Sequence, residues 1–223
     1  MGTEYAEKLD FEHDNLWDTL VVKEYEGGSR ARYDSIIDRL HKREEFTKRY
    51  AWAIPTRSAL DVIAKYGPLV EMGAGTGYWA YELLKRGVTI EPYDKYPPDG
   101  GDWSEAEIEE YYGGKHPNKN WYHRGETPWT TVLQGTPDIL KSYDPQWNLF
   151  LCWPPYDDEM AAYALGYHRG EFICYVGESE GGCNGDRLFW RLINRLYDEV
   201  ETETIPQWPG IHDYVAIYKR KGR

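Results

Sequence analysis

Cysteine is scarce in this chain: Cys152, Cys174 and Cys183 are the only three among 223 residues. Three thiols do not make a disulfide framework, and they are expected to be reduced. Long apolar runs are missing too, and nothing approaches the ~18 consecutive apolar residues that a membrane span needs. Residues 1–10 lack the basic stretch and the apolar segment of a secretory signal, so a cytosolic location is expected. Positive charge is in deficit, with 26 Lys and Arg against 38 Asp and Glu for a net charge of -12. That balance opposes the sequence-independent attraction to phosphate on which duplex-coating proteins depend, so non-specific duplex binding is disfavoured. The six histidines are scattered without close paired spacing, and no metal site is expected.

Aromatics, by contrast, are plentiful: 10 Trp and 20 Tyr supply polar-tipped rings that pack cores and also line pockets for flat ligands. The length suits one domain, or one domain with an appendage. Residues 1–28 show no sustained period and end on Gly27 and Gly28, giving an arm. Tyr33, Ile36, Ile37, Leu40 and Phe46 recur at helical spacing and predict an amphipathic helix over 31–50. Its basic residues, Arg43 among them, are interleaved with acidic ones, a mixture that suits a solvated face, with a phosphate-contacting face as the alternative. Pro55 interrupts, and Leu60, Ile63 and Ala64 mark a shorter helix ending before Gly67 and Pro68. The expected division is an arm and helical cap over 1–66, followed by a main domain over 67–223.

From position 69 the chain alternates. Strands are predicted at Leu69–Met72, 88–93, 131–133, Asn148–Cys152 and 172–176, with helices at 78–86, 159–167 and 186–197. Strand and helix in turn predict an α/β fold: a Rossmann-like, mostly parallel sheet with helices on both faces and a helical extension at its amino-terminal side. The segments 199–205 and 214–218 flank a Pro- and Gly-containing turn, predicting an antiparallel return at the sheet edge. Residues 95–130 form an insertion rich in Pro, Gly and Tyr. Within it, Ser104 followed by Glu107 suggests a capped helix at 105–112.

Two motifs carry chemistry. The first runs from Val70 through Glu71, Met72, Gly73, Ala74, Gly75, Thr76 and Gly77 to Tyr78: a strand, a glycine-rich turn and the start of a helix. Glycines suit such a turn because the backbone needs unusual torsions and a ligand must approach without a side chain in the way. The turn falls at the carboxyl end of a strand, where doubly wound sheets bind ligands. Tyr78 stands where the dinucleotide fingerprint needs Gly or Ala, which disfavours a nicotinamide or flavin site.

This pattern resembles the first motif of class I S-adenosylmethionine-dependent methyltransferases, an acidic residue and a hydrophobic one followed by Gly-x-Gly-x-Gly. The resemblance implies S-adenosylmethionine as cofactor. It places Glu71 and the turn of Gly73, Gly75 and Gly77 at the methionine end, and a carboxylate closing the second strand on the ribose hydroxyls. Asp94 is the candidate for that carboxylate and Glu91 its rival.

The second motif, Leu149 to Tyr156, is an apolar strand ending in Trp153, Pro154, Pro155 and Tyr156. It is similar to the catalytic motif of amino-methyltransferases that act on exocyclic amines of bases or on glutamine amides. The resemblance implies that the Pro154 carbonyl accepts an amine proton and that Tyr156 stacks on a planar substrate. Trp153 departs from the pattern, which has Asn, Asp or Ser there: an indole stacks or donates one hydrogen bond but accepts none at its nitrogen.

Glu178, after the fifth strand, is a candidate to orient an amine substrate. Tyr50 or Trp52 is expected to complete a stacking slot with Trp153 and Tyr156. The expected function is methyl transfer to a nitrogen of a planar small molecule or nucleic-acid base. The alternative is a catalytically idle cofactor-binding module that acts through a protein partner.

Overall fold

The computed structural model describes residues 43, 46, 47, 49–98 and 127–222. The arm at 1–28, most of the helix expected over 31–50 and the short helix expected at 105–112 lie outside the described residues. Arg43, Phe46, Thr47 and Arg49 are helical and lead to a turn at Tyr50.

The elements follow in the order α1 (Arg57–Ala64), β1 (Leu69–Met72), α2 (Tyr78–Lys85), β2 (Ile90–Asp94) and β3 (Leu133–Gln134). After a 3-10 turn at Pro137–Ser142 come β4 (Asn148–Cys152), α3 (Met160–Tyr167), β5 (Phe172–Gly177), α4 (Arg187–Leu196), β6 (Tyr197–Thr204) and β7 (Tyr214–Arg220). Local chemistry sets several of the boundaries. The Thr56 hydroxyl caps α1 by accepting from Ala59 N at 3.1 Å, and the Asp186 carboxylate caps α4 by accepting from Phe189 N at 2.7 Å.

The strands form one sheet in the order β3-β2-β1-β4-β5-β7-β6. β1 pairs in parallel with both β2 and β4, so the chain reverses its direction of travel across the sheet at that pair. This is a topological switch point, the place where open α/β sheets bind ligands. The antiparallel strand β7 is not at the edge: it inserts between β5 and β6. The sequence explains the placement. Val215, Ala216 and Ile217 are fully buried, whereas β6 carries Asp198, Glu199, Glu201 and Glu203, charges that suit an unpaired edge.

Alternate residues of the central strands feed two cores. Leu69, Phe150, Cys174 and Val176 pack with Leu60, Ile63, Trp79 and Leu83 of α1 and α2. On the other face Val70, Met72, Leu149, Leu151, Ile173 and Tyr175 pack with α3 and α4. Helix α1 is therefore part of the sheet's own core, and the expected boundary between 66 and 67 falls inside one packed unit. No helix among the described residues is long and apolar enough to cross a membrane.

Candidate functional site

At the carboxyl ends of β1, β2 and β4 lies a cavity of about 920 Å³. Its floor is the glycine turn. Gly73, Gly75 and Gly77 have φ of 76°, 54° and 73°, torsions in the left-handed region that side chains other than glycine seldom adopt. The N–H groups of Gly73 and Ala74 both donate to the Tyr93 carbonyl, at 2.8 and 3.0 Å, tying the turn to β2.

Glu71 and Asp94 stand at the strand ends beside the turn, and both line the cavity. Glu71 is 1% exposed, and its Oε2 is buried with no hydrogen-bond partner. Burial, reinforced by the charge of Asp94, pushes its carboxyl well above the ordinary range. Asp94 accepts from Gly75 N at 3.0 Å through Oδ2 and from Tyr96 N at 2.9 Å through Oδ1. Burial raises its pKa to about 6 even though both N–H groups pull the other way. Glu91, the rival candidate, is outside the cavity lining, and its Oε2 accepts from the hydroxyls of Tyr93 and Tyr143.

The other half of the cavity is built on the turn after β4. Trp153, Pro154, Pro155 and Tyr156 all line it. Trp153 and Asp157 have φ of 51° and 53°, so the prolines are bracketed by two left-handed residues that are not glycine. Trp153 is fixed at several points. Its N–H donates to the Val176 carbonyl at 2.8 Å, its indole Nε1 donates to Asp213 Oδ2 at 3.0 Å, and its ring stacks on Trp52 with centroids 5.4 Å apart. The two indoles touch, so they leave no slot between them. Tyr156, which also lines the cavity, is 69% exposed.

Trp52 is thus the amino-terminal aromatic that meets Trp153. Tyr50 borders the cavity, but its ring is committed to packing: it stacks on Phe46 and Trp129 and meets Tyr78 edge-on. Trp129 is pinned in turn, donating from Nε1 to the Arg49 carbonyl and from its backbone to Thr76. The near end of the 95–130 insertion contributes Lys95 and Tyr96 to the wall.

Two candidates are held in structural contacts outside the cavity lining. Gly77 is outside the lining. It caps α2, and a Cβ there would come within 2.8 Å of Val132 Cγ2. Glu178 is also outside the lining, because its carboxylate accepts from Cys183 N at 2.8 Å and from His212 N at 2.9 Å. Burial raises the Glu178 pKa, and these N–H groups outweigh it, leaving the group below its ordinary value. It holds the 178–186 loop against the turn before β7. The Pro154 carbonyl accepts from Gly185 N at 3.0 Å, which leaves it one lone pair for a substrate proton.

Two further residues belong to the site. Asp213 is fully buried; Oδ2 holds Trp153, Oδ1 has no partner, and burial lifts its pKa to about 6. Nothing in the sequence around it signals that role. Arg43 sits in the stretch whose mixed charges suggested a solvated face, yet it is half-buried and lines the cavity. Among the described residues there is no cluster of His, Cys, Asp and Glu that could hold a metal ion.

No family model matches the sequence, and no curated protein sequence does. Among solved structures, a Burkholderia thailandensis 1,6-didemethyltoxoflavin-N1-methyltransferase with bound 1,6-didemethyltoxoflavin and S-adenosylhomocysteine is similar at 13% identity and a TM-score of 0.46. The match covers 89% of this chain and 93% of that one. A Synechocystis magnesium protoporphyrin IX methyltransferase with bound S-adenosylmethionine is similar at 10% identity and a TM-score of 0.40, over 88% of this chain and 87% of that one. Likeness this loose assigns neither ligand nor acceptor to this chain.

Proposed function

We propose that this chain is an S-adenosylmethionine-dependent methyltransferase acting on a nitrogen of a planar acceptor, a small molecule or a single nucleic-acid base. The observation that carries this is Glu71, a buried carboxyl with an unpartnered oxygen at the switch point of the sheet, beside Asp94 and a left-handed glycine turn. A buried acidic oxygen without a donor is costly, and a ligand bearing N–H donors and positive charge removes that cost.

The residues present fit such a cofactor. Glu71 and the turn of Gly73 and Gly75 would hold its methionine end, and the Asp94 carboxylate would accept from its ribose hydroxyls. When bound, the cofactor supplies a methyl group on a cationic sulfonium that departs as a neutral thioether, so the chain need supply no acid. Its own work is positioning. Tyr156 lies against the flat acceptor, the free lone pair of the Pro154 carbonyl orients the nitrogen, and the exposed carboxylate of Asp157 at the rim can take the proton that leaves last.

A second reading, a catalytically idle cofactor-binding module working through a protein partner, is favoured by one feature. The Trp153 N–H is spent on Asp213 and one face of the ring on Trp52, so this side chain offers the amine no second acceptor. The test is titration calorimetry with S-adenosylmethionine and S-adenosylhomocysteine, followed by mass spectrometry of candidate acceptors for addition of one methyl. Single-site binding with a methylated acceptor is expected. No binding of either compound refutes both readings, and binding without transfer to any amine leaves the idle module.

A further inference from the structure

Arg43 is a cation that the scheme above does not use. Its guanidinium carbon lies 5.1 Å from the ring centroid of Trp52 and 5.8 Å from that of Trp153. Its Nε is buried with no hydrogen-bond partner, and it makes no ion pair with a described carboxylate. A guanidinium carries five N–H donors and no acceptor, so a buried, unpartnered donor calls for an oxygen. The anion that acts on it most strongly, Asp213, binds Trp153 through Oδ2 and leaves Oδ1 without a partner, yet makes no ion pair with Arg43, and Glu178 is held by Cys183 and His212.

Placement narrows what that oxygen belongs to. Among the described residues that line the cavity, the only other basic one is Lys95, which follows Asp94 in the cofactor half. The charged neighbours of Arg43 come from the 178–186 loop and the turn before β7, with neither Glu71 nor Asp94 among them. Among the described residues, Arg43 is therefore the cation of the acceptor half. A donor fork beside flat rings suits a planar molecule that ends in an oxyanion. Net charge sharpens the point: a chain of -12 repels anions at long range, so an anionic acceptor is held only if a local cation meets it.

Resting on the methyltransferase reading, we propose that the acceptor is both planar and anionic, its carboxylate or phosphate oxygens received by Arg43 while its ring lies against Trp153 and Tyr156 in the same cavity. The test uses the full chain saturated with S-adenosylhomocysteine and titrated with two matched pairs of probes: 3-aminobenzoate against 3-aminobenzamide, and adenosine 5′-monophosphate against adenosine. The first pair reports a carboxylate and the second a phosphate. In at least one pair the anion is expected to bind roughly tenfold or more tightly than its neutral counterpart. Arg43→Gln should erase that preference and leave S-adenosylhomocysteine affinity unchanged, while Arg43→Lys, which keeps the charge and loses the fork, should retain part of it.

No preference in either pair, including no binding of any probe, overturns the proposal. So does a loss of S-adenosylhomocysteine affinity in Arg43→Gln with its thermal midpoint unchanged, since the carboxylate at Arg43 would then be the cofactor's own. Failure of the wild-type chain to bind S-adenosylhomocysteine refutes the methyltransferase reading itself. Binding of that compound without anion preference refutes only the anionic acceptor.

Discussion

Replacing Asp94 with Asn should weaken cofactor binding without weakening the fold. The carboxylate is 9% exposed, and its pKa rises to about 6 from an ordinary value of 3.8, a shift corresponding to about 3 kcal/mol. Because the folded pKa is the higher one, the contribution favours folding fully below pH 3.8 and is lost as pH rises through about 6. At pH 8 the folded chain therefore holds an ionised group it would prefer protonated. Asn removes that burden but keeps one oxygen, so either Gly75 N or Tyr96 N faces an amide NH2 at a cost of about 1 to 3 kcal/mol. Urea unfolding at pH 8 should give Asp94→Asn a stability equal to or above wild type, and the wild-type gain on lowering the pH through 6 should shrink. Binding should go the other way. Hydroxyl donors favour the ionised carboxylate, so wild-type affinity for S-adenosylhomocysteine should fall as pH drops through about 6. Asp94→Asn should bind about 5- to 150-fold more weakly at pH 8, the range set by about 1 to 3 kcal/mol of lost acceptor. Wild-type affinity in the variant, or affinity flat between pH 5 and 8, would refute the ribose role.

Three further substitutions test the surrounding frame. Gly77→Ala forces a Cβ into a residue with φ of 73°, 2.8 Å from Val132 Cγ2 and 3.1 Å from Thr130 Cγ2. It should cost about 1 to 2 kcal/mol from the torsion alone, read by urea unfolding, and an unchanged midpoint would contradict the packing. Trp153→Phe keeps the stack on Trp52 but removes the only described donor to Asp213, and should destabilise by about 1 to 3 kcal/mol at pH 8. Since burial already lifts Asp213 to about 6, protonation should relieve the loss at pH 5, and equal destabilisation at both pH values would count against an orphaned carboxylate. Tyr156→Ala, at an exposed position, should leave the thermal midpoint and S-adenosylhomocysteine affinity unchanged while weakening a planar acceptor by about 1 to 3 kcal/mol. Full acceptor affinity in that variant would remove Tyr156 from the site.

The strands β1 and β4 were legible to the residue because each is a short apolar run closed by an abrupt signal, Gly73 after one and Trp153-Pro154 after the other. Helices α1 to α4 were legible to within a residue or two at most ends for a similar reason: Gly67-Pro68, Gly87 and the Asp186 cap punctuate them. The strand β3 is different. It was expected at 131–133 and lies at Leu133–Gln134, both exposed, with no burial pattern to mark it. The 3-10 turn at Pro137–Ser142 buries only Leu140 and has no period to detect. Helix α4 passes into β6 with no breaker between Leu196 and Tyr197, so the expected break between 197 and 199 has no counterpart. At the site, Glu71, Gly73, Gly75 and Asp94 are local to one strand-turn-strand unit and could be read in a line. Arg43 and Asp213 join the site from segments far apart in sequence, and their meeting is a tertiary fact that no local pattern encodes; the expectation that Tyr50 or Trp52 meets Trp153 rests on motif position alone, and Trp52 is the ring that does so.

Those distant contacts explain why the turn after β4 holds its shape. Residues such as Trp153 and Asp157 in the left-handed region carry about 1 to 3 kcal/mol of strain each and persist only where the surroundings over-determine them. Here the bracing is explicit. Gly185 N donates to the Pro154 carbonyl and Asp157 N donates to the Gly185 carbonyl, while Val176 and Asp213 take the two N–H groups of Trp153. The 178–186 loop is itself fastened, because Glu178 N donates to Asn184 Oδ1 at 2.7 Å, Trp190 Nε1 donates to the Asn184 carbonyl at 2.9 Å, and the Glu178 carboxylate binds Cys183 N and His212 N. The Glu178 carboxylate is thus joined to Pro154 through the loop that carries Gly185. Glu178→Gln should accordingly alter the site by loosening that brace: thermal stability and acceptor affinity should fall together, and cofactor affinity should fall less, because Glu71, Gly75 and Asp94 belong to β1, β2 and the turn between β1 and α2 and share none of these bonds. Lost acceptor binding at unchanged thermal stability would instead return Glu178 to direct contact with the substrate.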